Sequence, residues 1–201
     1  MKLTTITNIS VDGVMQGLGG PEEDRRDGFR RGGWALPLFD ARAEELLGGI
    51  YQRAEAFLFG RRTYDVFATS WGAVPEMAAS PIGRALNERP KYVVSGTLPE
   101  PPWAGTTVLS GDLAAAVGEL RARPGGELQV HGSGTLLRWL LEHELVDEMV
   151  LLTYPVVVGQ GTRLFPADGP DAALELVEVG PVSNGITMQV YRPAGRPRYA
   201  A

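Results

Sequence analysis

The segment Glu127 to Leu141, ELQVHGSGTLLRWLL, does most to restrict the fold: an apolar strand-like run enters Gly132-Ser133-Gly134-Thr135, and a helix-like pattern leaves it. A strand, a glycine turn and a helix start gather free backbone N–H groups at one point. The helix dipole adds roughly half a positive charge there, and glycines carry no Cβ to hold a phosphate off the main chain. The residues therefore point first to a phosphate-bearing cofactor. A similar passage from strand to glycine occurs at Phe57-Leu58-Phe59-Gly60, before Arg61-Arg62-Thr63, and at Lys91 to Ser95, before Gly96-Thr97.

The rest of the chain extends this rhythm. Leu3 to Val11 reads as a strand closed by a turn at Asp12-Gly13. Ala43, Leu46, Leu47, Ile50, Tyr51 and Ala54 recur at helical spacing, which predicts a helix over Asp40 to Ala54 with Asp40 as its N-cap. Ala56 to Phe59 reads as a buried strand, and Arg61 to Asp65 opens the next helix. Lys91 to Ser95 and Thr106 to Leu109 are further strands, and Asp112 to Arg123 is a helix stopped by Pro124-Gly125-Gly126. Alternating β and α elements predict a mainly parallel sheet with helices on both faces. Toward the end, Glu148 to Val158, Leu174 to Gly180 and Ile186 to Tyr191 are strand-like, and Ser183-Asn184-Gly185 is a hairpin signal. An antiparallel C-terminal edge follows.

At 201 residues the chain fits one domain spanning residues 1–201. Between Gly17 and Gly33 it is rich in glycine and mixed charge and lacks apolar periodicity, so it reads as a mobile surface loop. Both a lid and an inert insertion remain open for it. The net charge of -5 argues against a nucleic-acid partner, which needs a basic face. With no cysteine, disulfides and thiolate metal sites are excluded, and a reducing cytoplasm is the expected setting. The N-terminus is too short and polar for a signal peptide, and Met149 to Val158 covers about half a membrane span, so no membrane association is expected.

In open α/β sheets, ligands sit beyond the carboxyl ends of the strands. A dinucleotide there needs N–H donors for its pyrophosphate, which Gly132 to Thr135 can supply. A phosphorylated ribose also needs a cation, which Arg61 or Arg62 can supply by bidentate contact, helped by the hydroxyls of Ser95 and Thr97. The three-glycine Rossmann fingerprint and the Walker loop are both absent. His131 reads as a strand residue and His143 as part of a solvated helix end, so they form no metal site. Ser133 has no nearby His-Asp partner. Trp34, Trp71 and Trp103 either floor a pocket for a planar ring or seal the core. Gly159-Gln160-Gly161 is either a ligand contact or a tight turn.

The ordered series ISVDGVMQG, GGWALPLFD, FLFGRRTYD, KYVVSGT, LQVHGSGTLL and LLTYPVVVGQGTRLF resembles the dihydrofolate reductase-like superfamily, most closely its riboflavin-biosynthesis reductase branch. The likeness covers about residues 3–192. It implies a three-layer α/β/α fold, NADPH as hydride donor, a small-molecule substrate and a homodimer.

Residue by residue, the resemblance puts Gly60, Arg61, Arg62 and Thr63 at the adenosine-side phosphates. Ser95 and Gly96 fall beside the 2′-phosphate and adenine, and Gly132, Ser133, Gly134, Thr135 and Leu136 under the pyrophosphate. Asn8, Met15 and Gln16 line the nicotinamide, while Thr153 and Tyr154 face the substrate. Asp12, in Ser10-Val11-Asp12-Gly13, matches an aspartate near the substrate and is the catalytic proton-donor candidate beside a bound water. An ordinary turn aspartate is the competing reading.

The chain departs from true dihydrofolate reductases after Trp34-Ala35-Leu36-Pro37, where Phe39 stands at the position of the acid and Asp40 one residue later. The expectation is an NADPH-dependent reductase of a heterocyclic (pterin- or pyrimidine-like) or carbonyl/imine substrate. Two alternatives are a nucleotide-binding module without turnover and a flavin held at the same phosphate site.

Overall fold

The computed structural model describes residues 1–200. A single eight-stranded sheet runs through it in the order β4-β3-β2-β5-β1-β6-β8-β7. The strands are β1 (Lys2–Ser10), β2 (Ala54–Gly60), β3 (Lys91–Val94), β4 (Thr106–Leu109), β5 (Glu127–His131), β6 (Glu148–Tyr154), β7 (Leu174–Pro181) and β8 (Thr187–Pro193). The first six pair in parallel, whereas β8 pairs antiparallel to both β6 and β7. The sequence pattern predicted this mixed sheet and its antiparallel edge.

The helices are α1 (Ala41–Gln52), α2 (Arg61–Thr69), α3 (Pro75–Ala79), α4 (Pro81–Glu88), α5 (Leu113–Ala122) and α6 (Gly134–Glu142). On one face, α1, α2 and α4 bury Ile50, Tyr51, Tyr64 and Leu86 against Ile6, Phe57 and Phe59. On the other, α5 and α6 bury Val117, Leu120, Leu136 and Leu140 against Leu3, Leu58 and Val130. Strand alternation assigns each face its residues: Leu3 and Ile6, on opposite pleats of β1, enter different cores. Asp40 caps α1 as its spacing predicts, accepting from the Arg42 and Ala43 amides.

Most boundaries shift by a residue or two, α1 ending at Gln52 so that Ala54 opens β2, and two differences are larger. The stretch from Val66 to Pro90, without assigned elements there, completes α2 and forms α3 and α4. Pro75 and Pro81 begin these helices, where a fixed φ and a missing N–H cost nothing, and the Ser80 side chain caps α4. β6 ends at Tyr154 rather than Val158, because Pro155 has no N–H to continue the ladder. The β7–β8 hairpin turns through Asn184 and Gly185, both at positive φ, as Asn-Gly turns do.

The glycine-rich segment after β1 folds back on itself. Gly33 donates to the Gly17 carbonyl at 2.7 Å, closing the loop at its base. Phe29 is buried against Val14 and Val158, so the loop has an apolar anchor of its own.

Candidate functional site

The chain runs outward from β2 to β4 and returns through β5, which inserts between β2 and β1. At the carboxyl ends of β1, β2 and β5 lies a cavity of about 570 Å³, within the range of small-molecule sites. Asn8, Met15, Gln16, Gly60, Arg61, Arg62, Thr63, Gly132, Ser133, Gly134, Thr135 and Leu136 all line it, so these twelve candidates from distant segments share one wall. A second depression of about 520 Å³ adjoins it through Glu23, Asp24, Arg26, Arg61, Arg62 and Val66.

The strand ends of β2 and β5 are joined reciprocally. Gly60 N–H donates to Ser133 Oγ at 3.0 Å, and Ser133 N–H donates to Thr63 Oγ1 at 3.0 Å. The two helices that start here, α2 and α6, have no side-chain cap of their own. Their first amides therefore remain free donors beside the cavity, with both helix dipoles adding positive potential. Gly132 and Ser133 both hold left-handed φ, at 53° and 50°, which turns the chain sharply from β5 into α6. At Gly134 a Cβ would stand 2.7 Å from Met15 Sδ, so the glycine lets that thioether close on the helix start. Thr7 Oγ1 is buried without a hydrogen-bond partner, and Thr7 lines the same cavity.

The remaining candidates lie elsewhere. Ser95 Oγ accepts from the Thr97 and Leu98 amides and closes its own turn; Gly96 and Thr97 are exposed, and none of Ser95, Gly96 and Thr97 is among the cavity-lining residues. Thr153 and Tyr154 are consecutive on β6 and leave opposite faces. Thr153 donates to Gln189 at 3.0 Å, while buried Tyr154 donates to Asn8 Oδ1 at 3.2 Å and so stands one layer behind the cavity. Trp34 packs edge-on against Tyr154 at 5.6 Å and donates to the Gln16 carbonyl. Burial pushes the Tyr154 phenol up to about 12, which keeps its proton in place as a hydrogen-bond donor.

Asp12, the catalytic candidate, lies outside the cavity lining and is fully engaged. Its carboxylate accepts from Ser10 Oγ at 2.7 Å and from the Val158 and Gly159 amides at 2.9 and 2.8 Å, with Arg163 at 3.2 Å. Burial alone would raise its pKa, but the bonds from Ser10 and the two amides outweigh it and hold the carboxyl well below the usual carboxylate range. A group so held is a poor proton donor, and its bonds are structural ones that reach across the fold to the 158–159 segment rather than those of an ordinary local turn. The Gly159-Gln160-Gly161 segment is fastened by the same carboxylate. Asp40 is exposed at its capping position, and Phe39 is also surface-exposed.

Some lining residues had no sequence signal. Glu23, Asp24 and Arg26 come from the loop, where Gln16 draws the chain in: its side-chain amide donates to Asp24 and Arg26 and accepts from Thr162. Burial raises the Glu23 carboxyl, which lines the adjoining depression together with Arg61 and Arg62. Tyr51 and His131 line the cavity too, and only the alternation along β5 hinted at the latter.

A mainly parallel sheet with an antiparallel edge and a cavity over its strand ends makes this an α/β protein with a ligand-sized site, and its structural neighbours give the fold as dihydrofolate reductase-like. The RibD C-terminal domain model matches residues 1–188, and the chain belongs to that reductase-type family. A Bacillus subtilis (strain 168) protein named uncharacterized protein YyaP is 24% identical over 188 residues, covering 91% of this chain and 90% of that protein. A crystal structure from Shewanella sp. PV-4, of a protein provisionally named for riboflavin biosynthesis, superposes with a TM-score of 0.73 at 20% identity, covering 96% of this chain and 99% of the other. A pyrimidine reductase-like protein from Corynebacterium diphtheriae gives 0.63 at 14% identity, over 96% and 91%. No helix among the described residues is long and apolar enough to cross a membrane.

Proposed function

We propose that the chain is an NADPH-dependent reductase of a small planar or carbonyl/imine substrate. The observation that carries this reading is the paired, uncapped starts of α2 and α6, cross-linked by Ser133 and Thr63 over one cavity. Two such starts offer N–H donors to the two phosphates of a pyrophosphate. The orphaned Thr7 hydroxyl on the wall of the same cavity fits a polar ligand.

Each group then has a task. The amides of Arg61 to Thr63 and of Gly134 to Leu136 hold the pyrophosphate, and Arg62 takes the 2′-phosphate. Asn8, oriented by Tyr154, and Met15 border the end where reduction occurs. When bound, the reduced nicotinamide supplies the hydride. Asp12 keeps the 158–159 loop in place, and water delivers the proton. Glu23 sits at the arginine end and is assigned no part in proton delivery.

A second reading, nucleotide binding without turnover, draws on the engagement of Asp12 and Asp40 in structural bonds. The assay that separates the two follows NADPH consumption with pterins, pyrimidines and small carbonyls. Oxidation with any one class supports the reductase. Tight NADPH binding with no oxidation across all classes leaves the binding module instead.

A further inference from the structure

β5 carries Glu127, Gln129 and His131 at alternate positions, so their side chains leave the same face of the sheet. They are bonded end to end. Arg53 Nε lies 3.0 Å from Glu127 Oε1, and Gln129 Nε2 donates to Glu127 Oε2 at 2.6 Å and to the Ile50 carbonyl at 2.7 Å. With its nitrogen committed to two acceptors, the Gln129 amide has one orientation, and its Oε1 faces His131 Nε2 at 2.9 Å. A carbonyl oxygen cannot donate, so Nε2 carries the hydrogen and Nδ1 is an acceptor. Among the described residues nothing bonds that Nδ1.

The ring is 3% exposed and stacked on Tyr51, with centroids 3.9 Å apart and an interplanar angle of 18°. Burial pushes the imidazole down to about 3, so it is neutral at physiological pH. His131 and Tyr51 line the large cavity together with Ile6 and Asn8.

We propose that His131 is a specificity-determining residue whose Nδ1 accepts a hydrogen bond from a ring N–H or amino group of a planar heterocyclic substrate. This rests on the reading of the cavity as a reductase site and narrows its substrate class. A substrate presenting a carbonyl oxygen at the same edge would set lone pair against lone pair and leave two buried acceptors unsatisfied. The Arg53–Glu127–Gln129 file is a positioning device that selects the tautomer. Because His131 stays neutral, it accepts a hydrogen bond and transfers no proton.

The test compares a 2-aminopteridine with its 2-dimethylamino counterpart by calorimetry, on the wild type, His131→Phe and Gln129→Leu. The wild type is expected to bind the amino probe at least about tenfold more tightly. His131→Phe, which keeps an aromatic ring against Tyr51, should reduce that ratio to about twofold or less, and Gln129→Leu should fall between. Nitrogen NMR of histidine-labelled protein should show a single Nε2–H tautomer for His131 in the wild type and a mixture in Gln129→Leu. Equal affinities in the wild type, no binding of either probe, a ratio that survives His131→Phe, or an unchanged tautomer in Gln129→Leu would each overturn the proposal. NADPH titrations of the same three proteins report separately on the cofactor reading, which can fail while the probe pair is still discriminated.

Discussion

Arg61 and Arg62 open α2 side by side, yet the structure makes them unequal. Arg61 Nε lies 2.9 Å from both oxygens of Asp65 one turn on, while Arg62 has no hydrogen-bond or ion-pair partner among the described residues. A guanidinium that is free before binding keeps its whole charge for a ligand, so Arg62→Ala is the informative substitution. One charge pair at 4 Å in water is worth about 1 kcal/mol, and a phosphate dianion doubles it to about 2 kcal/mol. Screening in physiological salt, with a Debye length of about 8 Å, reduces this further. About 1.4 kcal/mol then remains, a tenfold rise in the NADPH dissociation constant. Arg61→Ala should cost only about threefold, because Asp65 already offsets that charge, and Asp65→Asn should tighten NADPH. NADH, without the 2′-phosphate, should be unaffected by all three. Calorimetric titrations at two ionic strengths check this, since the Arg62 effect must shrink as salt rises. Equal losses for NADPH and NADH, or a larger loss from Arg61→Ala than from Arg62→Ala, would refute the assignment.

Ser133→Ala and Thr63→Val each remove one half of the reciprocal link between β2 and β5. Each should lower stability by about 1 kcal/mol in urea denaturation, and the pair should fall short of additivity; strictly additive losses would mean the two bonds act independently. Asp12 has a folded-state pKa below its unfolded value, so its stabilisation is full above the unfolded pKa of about 3.9 and is lost as pH falls toward the folded value. The stability difference between wild type and Asp12→Asn should therefore be constant at neutral pH and shrink below about pH 4. A variant that loses turnover with unchanged stability at neutral pH would instead restore Asp12 as a catalytic acid. Phe29→Ala removes the loop's anchor against Val14 and Val158, at a cost of about 3 kcal/mol. It should raise hydrogen exchange within residues 17–33 while leaving β1 protected, and unchanged exchange would show that the anchor does not hold the loop.

The fold was legible where one residue type imposed one conformation. The strand-glycine-helix passages at Gly60 and Gly132, Asp40 as a cap and the Asn184-Gly185 turn are local signals, and they placed the parallel sheet, α1 and the hairpin. Helices α3 and α4 were missed because each is short: α3 buries no side chain, and the Ile82, Ala85 and Leu86 stripe of α4 covers only about two turns, too few to stand out as a period. The arginine and glycine walls of the site were legible for the same local reason. Asp12 was not, since its bonds reach across 146 and 147 residues to Val158 and Gly159. Thr153 and Tyr154 were read as one wall, but the pleat sends them to opposite faces. Tyr51 meets His131 only through the packing of α1 on β5, a contact no local pattern contains.

On the reading proposed above, the starts of α2 and α6, with Arg62, hold a 2′-phosphorylated dinucleotide. A calorimetric titration of the wild-type protein with NADPH and NADH tests it most directly. The structure predicts saturable binding of both, with NADPH tighter by about tenfold. Binding of neither, or equal affinity for the two, would contradict it.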